Sequence, residues 1–274
     1  MKKIVRKVSA PAKLILSGEH SVVYGYPAIA SAVGKRLVAL QRGKKIEIAS
    51  EIPIGAGMGS SAAYAVATSA IKLGGMNLEK INELAYKMEK KRHGAPSGVD
   101  NTICTYGGFL WYRKESENLK TFKTITPKRK IQGIYLLNTG KPVETTKEMV
   151  EYVADRYLTR KSYFDAVLRN METVTRKFLD FLLGSGNLDF GALIAENELL
   201  LERLGVVSES TKKTIHGIEK IGGAAKISGA GGWRDKSGIV MIYHKNSEKL
   251  LAFAKKNSFD LFSVKMGEEG VRIE

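Results

Sequence analysis

Residues Pro53, Ile54, Gly55, Ala56, Gly57, Met58, Gly59, Ser60, Ser61, Ala62 and Ala63 read PIGAGMGSSAA. Glycine is entropically costly inside a chain, so three of them in alternation point to a close backbone approach. The Ala-rich run that follows favours helix, which puts the N–H groups of Gly57 to Ser61 at a helix N-terminus, a positive concavity suited to an anion. A serine hydroxyl there can ligate Mg²⁺ or a phosphate oxygen. The plain alternative is a Gly-rich strand-to-helix turn. A Walker A loop is excluded, because neither glycine cluster ends in Gly-Lys-Ser/Thr. The dinucleotide fingerprint G-x-G-x-x-G is off by one residue, although Glu79 lies near the distance of a ribose-binding acid.

A second chemical signal comes from the next helix, expected from about Leu78 to Arg92. With Ile81 at zero and roughly 100° per residue, Leu84, Ala85 and Met88 fall within about 60° of it. Glu79, Lys80, Glu83, Lys87 and Lys90 lie about 100° or more away, and Lys91 at about 80° on the lysine-rich side. Glu89 stands apart at about 80°, on the shoulder of the apolar face. Either it points into a site or it is an ordinary boundary charge.

The elements that must position these residues read as a mixed α+β chain. Strands are expected over 3–17 and 37–50, a helix over 60–73 closed by Gly74 and Gly75, and a strand over Gly107–Tyr112. The segment "VVYGYPAIASAV" mixes turn residues with small apolar ones. The stretch "HGAPSGVDNTICTYGG" holds a turn-rich loop, Gly94 to Gly98, with Asp100 just beyond it. "IQGIYLLNTG" reads as a strand opening a second half, with a boundary near residue 130. Helices are expected over 144–183, 190–203, 209–221 and 247–256, and strands near 238–243 and 261–266. A second glycine cluster, "ISGAGG", occupies Ile227–Gly232.

Composition excludes several classes. The chain has 274 residues, 43% hydrophobic and 26% charged, a globular balance in one large domain or two small ones. No apolar run approaches the roughly 20 residues of a membrane span, and Lys13 and Glu19 interrupt the basic N-terminus, so no leader is expected and the location expected is cytoplasmic. Cys104 is the sole cysteine, which removes intrachain disulfides and Cys-based metal sites. His20, His93, His216 and His244 show no metal-ligand spacing. The net charge is +16, and residues 1–48 hold ten basic against two acidic side chains. Such a surplus attracts nucleic acid, membrane or a phosphorylated small molecule. The lysines are scattered, with little aromatic interleaving and no nucleic-acid-binding motif, so neither nucleic acid nor membrane is expected.

From Pro53 to Ala62 the loop resembles the phosphate loop of the GHMP small-molecule kinases, P-x-x-G-x-G-x-G-S-S-A, with one residue fewer after the proline. "KLILSGEHSVVYGYPAIA", "HGAPSGVDNTICTYGG", "NELLLERLGVVS" and "KISGAGG" are similar to further motifs of that family, most of all its mevalonate-phosphorylating branch. The resemblance spans nearly the whole chain. It implies a two-lobed α+β fold: residues 1–130 as a lobe like ribosomal protein S5 domain 2, with the phosphate loop and catalytic aspartate, and residues 131–274 as a ferredoxin-like lobe. It implies transfer of phosphate from ATP to mevalonate, forming 5-phosphomevalonate for isoprenoid biosynthesis. Another GHMP kinase reaction, on phosphomevalonate above all, is the alternative.

Residue by residue, the resemblance makes Asp100 the base or orienting group near the substrate hydroxyl and Lys13 its cationic partner. Glu89 would hold Mg²⁺ with Ser61, or Ser60 in its place. Glu19, His20 and Asp100 would contact mevalonate, and Thr146 would contribute to the pocket. A homodimer is left open. Two departures stand out. Only 22 residues, Ser31 to Ile52, separate the first motif from the phosphate loop, where the family carries a longer segment that contributes to the adenine pocket. Trp233-Arg234-Asp235-Lys236 follows the last glycine motif, where small residues are usual. Trp233 could stack on a ligand, close a lid or plug the core. A catalytically silent sensor, an RNA-binding protein and a Rossmann oxidoreductase are the readings from other classes.

Overall fold

A run of small apolar and β-branched residues carries the chain straight from Val5 to Ser17 (β1). In the computed structural model, which describes residues 5–274, a 3₁₀ turn at Ser21–Tyr24 then leads into a 16-residue strand, Pro27–Arg42 (β2). Strand β2 organises the first sheet. One edge pairs with β1 along most of its length. Its other edge serves two partners: residues 37–42 pair with Lys45–Ser50 (β3) and residues 27–31 with Phe109–Lys114 (β4). The strand expected over 37–50 is thus two strands, folded back at Gly43, whose φ of 62° suits a tight turn. The segment beginning at Pro27 is strand instead of turn; proline tolerates a first strand position, where no ladder donor is needed.

Three helices follow: Ser60–Leu73 (α1), Leu78–His93 (α2) and Val99–Tyr106 (α3). Helix α1 buries Ala62, Ala63, Ala65, Val66, Ala67 and Ala70, small side chains that let it lie close to β1 and β2. It ends at Gly74 in a left-handed cap, as expected. Helix α3 was not anticipated, since it is short and opens directly on the turn at Gly98. Strand β4 pairs with Lys120–Ile125 (β5), giving the order β1-β2-β4-β5 with β3 also on β2.

The second half contains Ile134–Asn138 (β6), Thr146–Thr159 (α4), Lys161–Leu182 (α5), Phe190–Leu204 (α6), Glu209–Lys220 (α7), Ala224–Ser228 (β7), Ile239–Tyr243 (β8), Ser247–Lys256 (α8) and Leu261–Ser263 (β9). Its sheet runs β7-β8-β6-β9, wholly antiparallel. The two sheets share one buried cluster that includes Leu14 of β1 and Ile227 of β7. Among the described residues, no helix is long and apolar enough to cross a membrane.

The C-terminal tail, expected with the second half, crosses back. Arg272–Ile273 (β10) pairs with β1, and the Gly108 N–H donates to the Glu268 carbonyl at 2.7 Å. Arg36 fastens this strap: its guanidinium donates to Ser9 Oγ (2.7 Å) and to the carbonyls of Glu269 (2.9 Å) and Gly270 (2.6 Å). Replacing Arg36 with Met is expected to cost about 1.5–3 kcal/mol by stranding these acceptors, read as a lower thermal unfolding midpoint. An unchanged midpoint would show that the strap carries no stability.

Candidate active site

The phosphate loop is held from three sides. Lys13 N–H of β1 donates to the Met58 carbonyl at 3.0 Å, and Ile239 N–H of β8 donates to the Ala56 carbonyl at 2.8 Å. Ala56 and Met58 are buried while Gly55 is exposed and Gly57 and Gly59 are half-buried, so alternate residues anchor the loop and leave its glycines open. Gly57 has φ 92°, and a Cβ on it would stand 2.4 Å from the Ser228 carbonyl. The third side is therefore the second glycine motif, reached across the two halves. Gly59, in a left-handed conformation, caps α1 with no side-chain partner, which leaves the helix N-terminus open to an anion.

Lys13 is 2% exposed, and its ammonium lies 3.3 Å from Asp100 Oδ1. A Cβ at Gly59 would be 2.7 Å from Lys13 Cγ, so the lysine stem runs directly beneath the phosphate loop. Asp100 lies in the first turn of α3, where the helix dipole favours negative charge. It is a helix-borne carboxylate rather than a loop residue.

Glu89 is buried, as its helical angle suggested, and accepts a hydrogen bond of 2.5 Å from Ser61 Oγ. Burial pushes its carboxyl up from the ordinary range, against the Ser61 hydrogen bond, and the nearby Asp100 charge adds to the rise. A carboxylate held up in this way gains from a cation, and one carboxylate with one hydroxyl is a hard-oxygen set suited to Mg²⁺. The residues present fit that ion. His93, one turn further on α2, brings Nε2 to 3.3 Å from Ser61 Oγ and 3.7 Å from Glu89 Oε2. Nothing in its spacing on the sequence singled it out.

Glu19 and His20 follow β1 and are buried. His20 takes φ 58°, an uncommon backbone for a residue with a side chain, and its Nε2 lies 3.0 Å from the Ala230 carbonyl in the second glycine motif. Burial holds its pKa below the usual histidine value. Glu19 Oε1 pairs with the ammonium of Lys226, a fully buried lysine on β7. Glu198 of α6 accepts from the Ile227 N–H at 2.9 Å, and burial pushes its carboxyl well up. Lys226 and Glu198 escaped the sequence reading because only their tertiary partners reveal their roles. Thr146 is the expected residue that the structure does not bring in. It is exposed on the first turn of α4, and no hydrogen bond among the described residues links it to this cluster. Thr145 beside it is the N-cap, in a capping box with Glu148.

Trp233 does not plug the core. It is 41% exposed and stacks on Tyr152 of α4, with ring centroids 5.6 Å apart and planes 13° apart, while Arg234 lies over its face. Lys141, from the loop after β6, lies against Gly55, with its Cδ 3.1 Å from where a Cβ would stand. The short segment before the phosphate loop is the β2–β3 hairpin itself, and Ile54 beyond it is 78% exposed.

Comparison with known proteins agrees with this architecture. The profile of the GHMP kinases N terminal domain matches residues 23–108, from the 3₁₀ turn through the phosphate loop to the end of α3. The mevalonate kinase of Thermococcus sibiricus is 31% identical, with 97% of each chain covered. Among solved structures, the L. major mevalonate kinase in complex with R-mevalonate superposes with a TM-score of 0.80 at 22% identity, covering 97% of each chain. The Streptococcus pneumoniae phosphomevalonate kinase in complex with phosphomevalonate and AMPPNP gives 0.73 at 13% identity, covering 96% of this chain and 99% of that one. The fold is that of the GHMP kinases. Within that class, the chain belongs to the mevalonate kinase family.

Two outcomes follow from this geometry. Gly57→Ala, strained at φ 92° and pressed on the Ser228 carbonyl, is expected to raise the KM for nucleotide about 10-fold or more, in proportion to a loss of at least about 1.4 kcal/mol; an unchanged KM would mean the loop does not hold phosphate. Glu198 has a raised folded pKa, so its contribution to stability is present below the unfolded value and is lost as pH rises through the folded one. Glu198→Gln keeps the acceptor for Ile227 without the charge. Its stability relative to the parent is expected to improve as pH rises above the ordinary carboxylate range, measured by denaturant unfolding; parallel pH profiles would contradict the assignment.

Proposed function

We propose that this chain transfers the terminal phosphoryl group of ATP to the primary hydroxyl of mevalonate, forming 5-phosphomevalonate. The observation that carries the reading is the Lys13–Asp100 pair, 3.3 Å apart, set directly under an open helix N-terminus. Phosphoryl transfer asks chiefly for positioning and charge neutralisation, and the two residues divide that work. Asp100 orients the acceptor hydroxyl and takes its proton as the new bond forms. Lys13 balances the carboxylate and stabilises charge on the transferring group. The N–H groups of Gly57 to Ser61 cradle the phosphates.

Ser61 and Glu89 are the residues that would hold Mg²⁺, which when bound neutralises phosphate charge and polarises the transferring group. The short Ser61–Glu89 hydrogen bond keeps both oxygens converged before the ion arrives. Glu19 and His20 bind the acceptor at the far end of β1. The lobes divide near residue 130, with the tail strap closing the first. In this reading the enzyme works in the cytoplasm, where ATP is supplied, as a single copy or a homodimer. A second reading, phosphomevalonate as acceptor, is favoured by the basic surplus of residues 1–48 and by Lys141 beside the phosphate loop.

Asp100→Asn is expected to lower kcat about 10²- to 10⁴-fold with the KM for ATP nearly unchanged, in an assay coupling ADP release to NADH oxidation. Full activity in that variant would remove Asp100 from the mechanism. Glu89→Gln is expected to raise the Mg²⁺ concentration for half-maximal rate by at least the roughly 10-fold that even an outer-sphere contact costs. An unaltered Mg²⁺ dependence would exclude Glu89 as a ligand.

A further inference from the structure

Lys226 is fully buried on β7, in the second sheet, yet each proton of its ammonium has an acceptor. One goes to Glu19 Oε1, one to the Ile15 carbonyl at 3.1 Å and one to the Ile227 carbonyl at 2.8 Å. An ammonium has three donors and no more, so the group is saturated. Two of its acceptors, Ile15 and Glu19, belong to β1 and the turn that follows. Ser228, two residues on, accepts from the Ile15 N–H at 3.0 Å. Both backbone polar groups of Ile15 are thus held by side chains of β7, which fixes the end of β1 from which Glu19 projects.

Glu19 itself is only half satisfied. Its Oε1 is taken by Lys226, while Oε2 is buried without a partner. A buried charge is tolerated only when paired, and a buried lone acceptor is costly until something donates to it. The groups facing Glu19 are Lys226 from β7, Lys13 from β1, His20 beside it and Glu198 from α6. Burial lowers the His20 pKa and raises that of Glu198 well above the ordinary range. The carboxylate that meets the Lys226 ammonium directly is Glu19.

We propose that Lys226 is a positioning residue for the acceptor substrate: it grips Glu19 through Oε1 so that Oε2 stays ionised and free to accept the tertiary hydroxyl of mevalonate. This rests on the mevalonate reading above. Burial already raises the Glu19 carboxyl, with Lys226 the chief opposing influence. Removing Lys226 raises it further, so Glu19 takes up a proton at a pH where the parent enzyme keeps it ionised. A protonated Glu19 regains its full acceptor strength only as pH rises.

The test is a kinetic cycle of the parent, Lys226→Met, Glu19→Gln and the double variant, with the KM for mevalonate and for ATP measured from about pH 6 to about pH 9. Lys226→Met is expected to raise the KM for mevalonate about 10- to 100-fold, the cost of one charge-assisted hydrogen bond, while the KM for ATP changes less than about 3-fold. That mevalonate KM falls with rising pH more steeply than the parent's, and the double variant is no worse than Glu19→Gln alone. Lys226→Arg, which keeps the charge, retains the parent's pH profile. Should Lys226→Met fail to fold, Lys226→Gln carries the same reading. A parental mevalonate KM and pH profile with only a lower unfolding midpoint would reduce Lys226 to a structural pin and overturn the proposal, as would independent, multiplying effects in the double variant. No turnover of mevalonate by the parent enzyme would instead overturn the functional reading, before any variant is compared.

Discussion

Lys13 is the point on which the site depends. Its backbone N–H holds the Met58 carbonyl of the phosphate loop, its stem lies under Gly59, and its ammonium meets Asp100. One residue of β1 thus ties together the strand, the anion-binding loop and the first turn of α3. A charge at 2% exposure is stable only with its partner in place, so the position of Asp100 is set by electrostatics as much as by helix packing. The register of β1 against β2 fixes where Lys13 stands, with Lys13 opposite Ala32 beyond a bulge at Pro11. Small residues on α1 and β2 leave the room that a lysine stem needs.

The same logic joins the two halves of the chain. Gly57 touches the Ser228 carbonyl, Ala56 accepts from Ile239, and His20 and Glu19 reach Ala230 and Lys226. Each contact pairs an element of the first half with the second glycine motif or its flanking strands. The phosphate loop is therefore not a free loop but a seam shared by both sheets. That explains why glycine is required at Gly57: at φ 92° an added Cβ would collide with the Ser228 carbonyl.

Much of this was legible before the fold was known. Helix α1 and its Gly74 cap follow from alanines and a terminal glycine, and the inward Glu89 follows from one angle on a helical wheel. What was hidden depends on distant partners. Helix α3 has eight residues and starts on a glycine turn, too little periodicity to detect. Strand β7 reads Ala-Ala-Lys-Ile-Ser, buried throughout, with an alanine start and a lysine that argue locally against a core strand. Lys226 belongs there only because Glu19 and two carbonyls, over 200 positions away or next door, consume its protons. Strand β10 is two residues long and exists because β1 offers a free edge. Trp233 shows the same limit: its stacking on Tyr152 depends on where α4 lands, which no local pattern encodes.

The central claim is that this site phosphorylates the primary hydroxyl of mevalonate. The most direct measurement is ³¹P NMR of the product formed from ATP and Mg²⁺ with mevalonate in one reaction and 5-phosphomevalonate in another. The account predicts a new phosphomonoester resonance from mevalonate and no diphosphate from phosphomevalonate. A diphosphate formed from phosphomevalonate, with mevalonate left unmodified, would keep the phosphate loop and contradict the substrate.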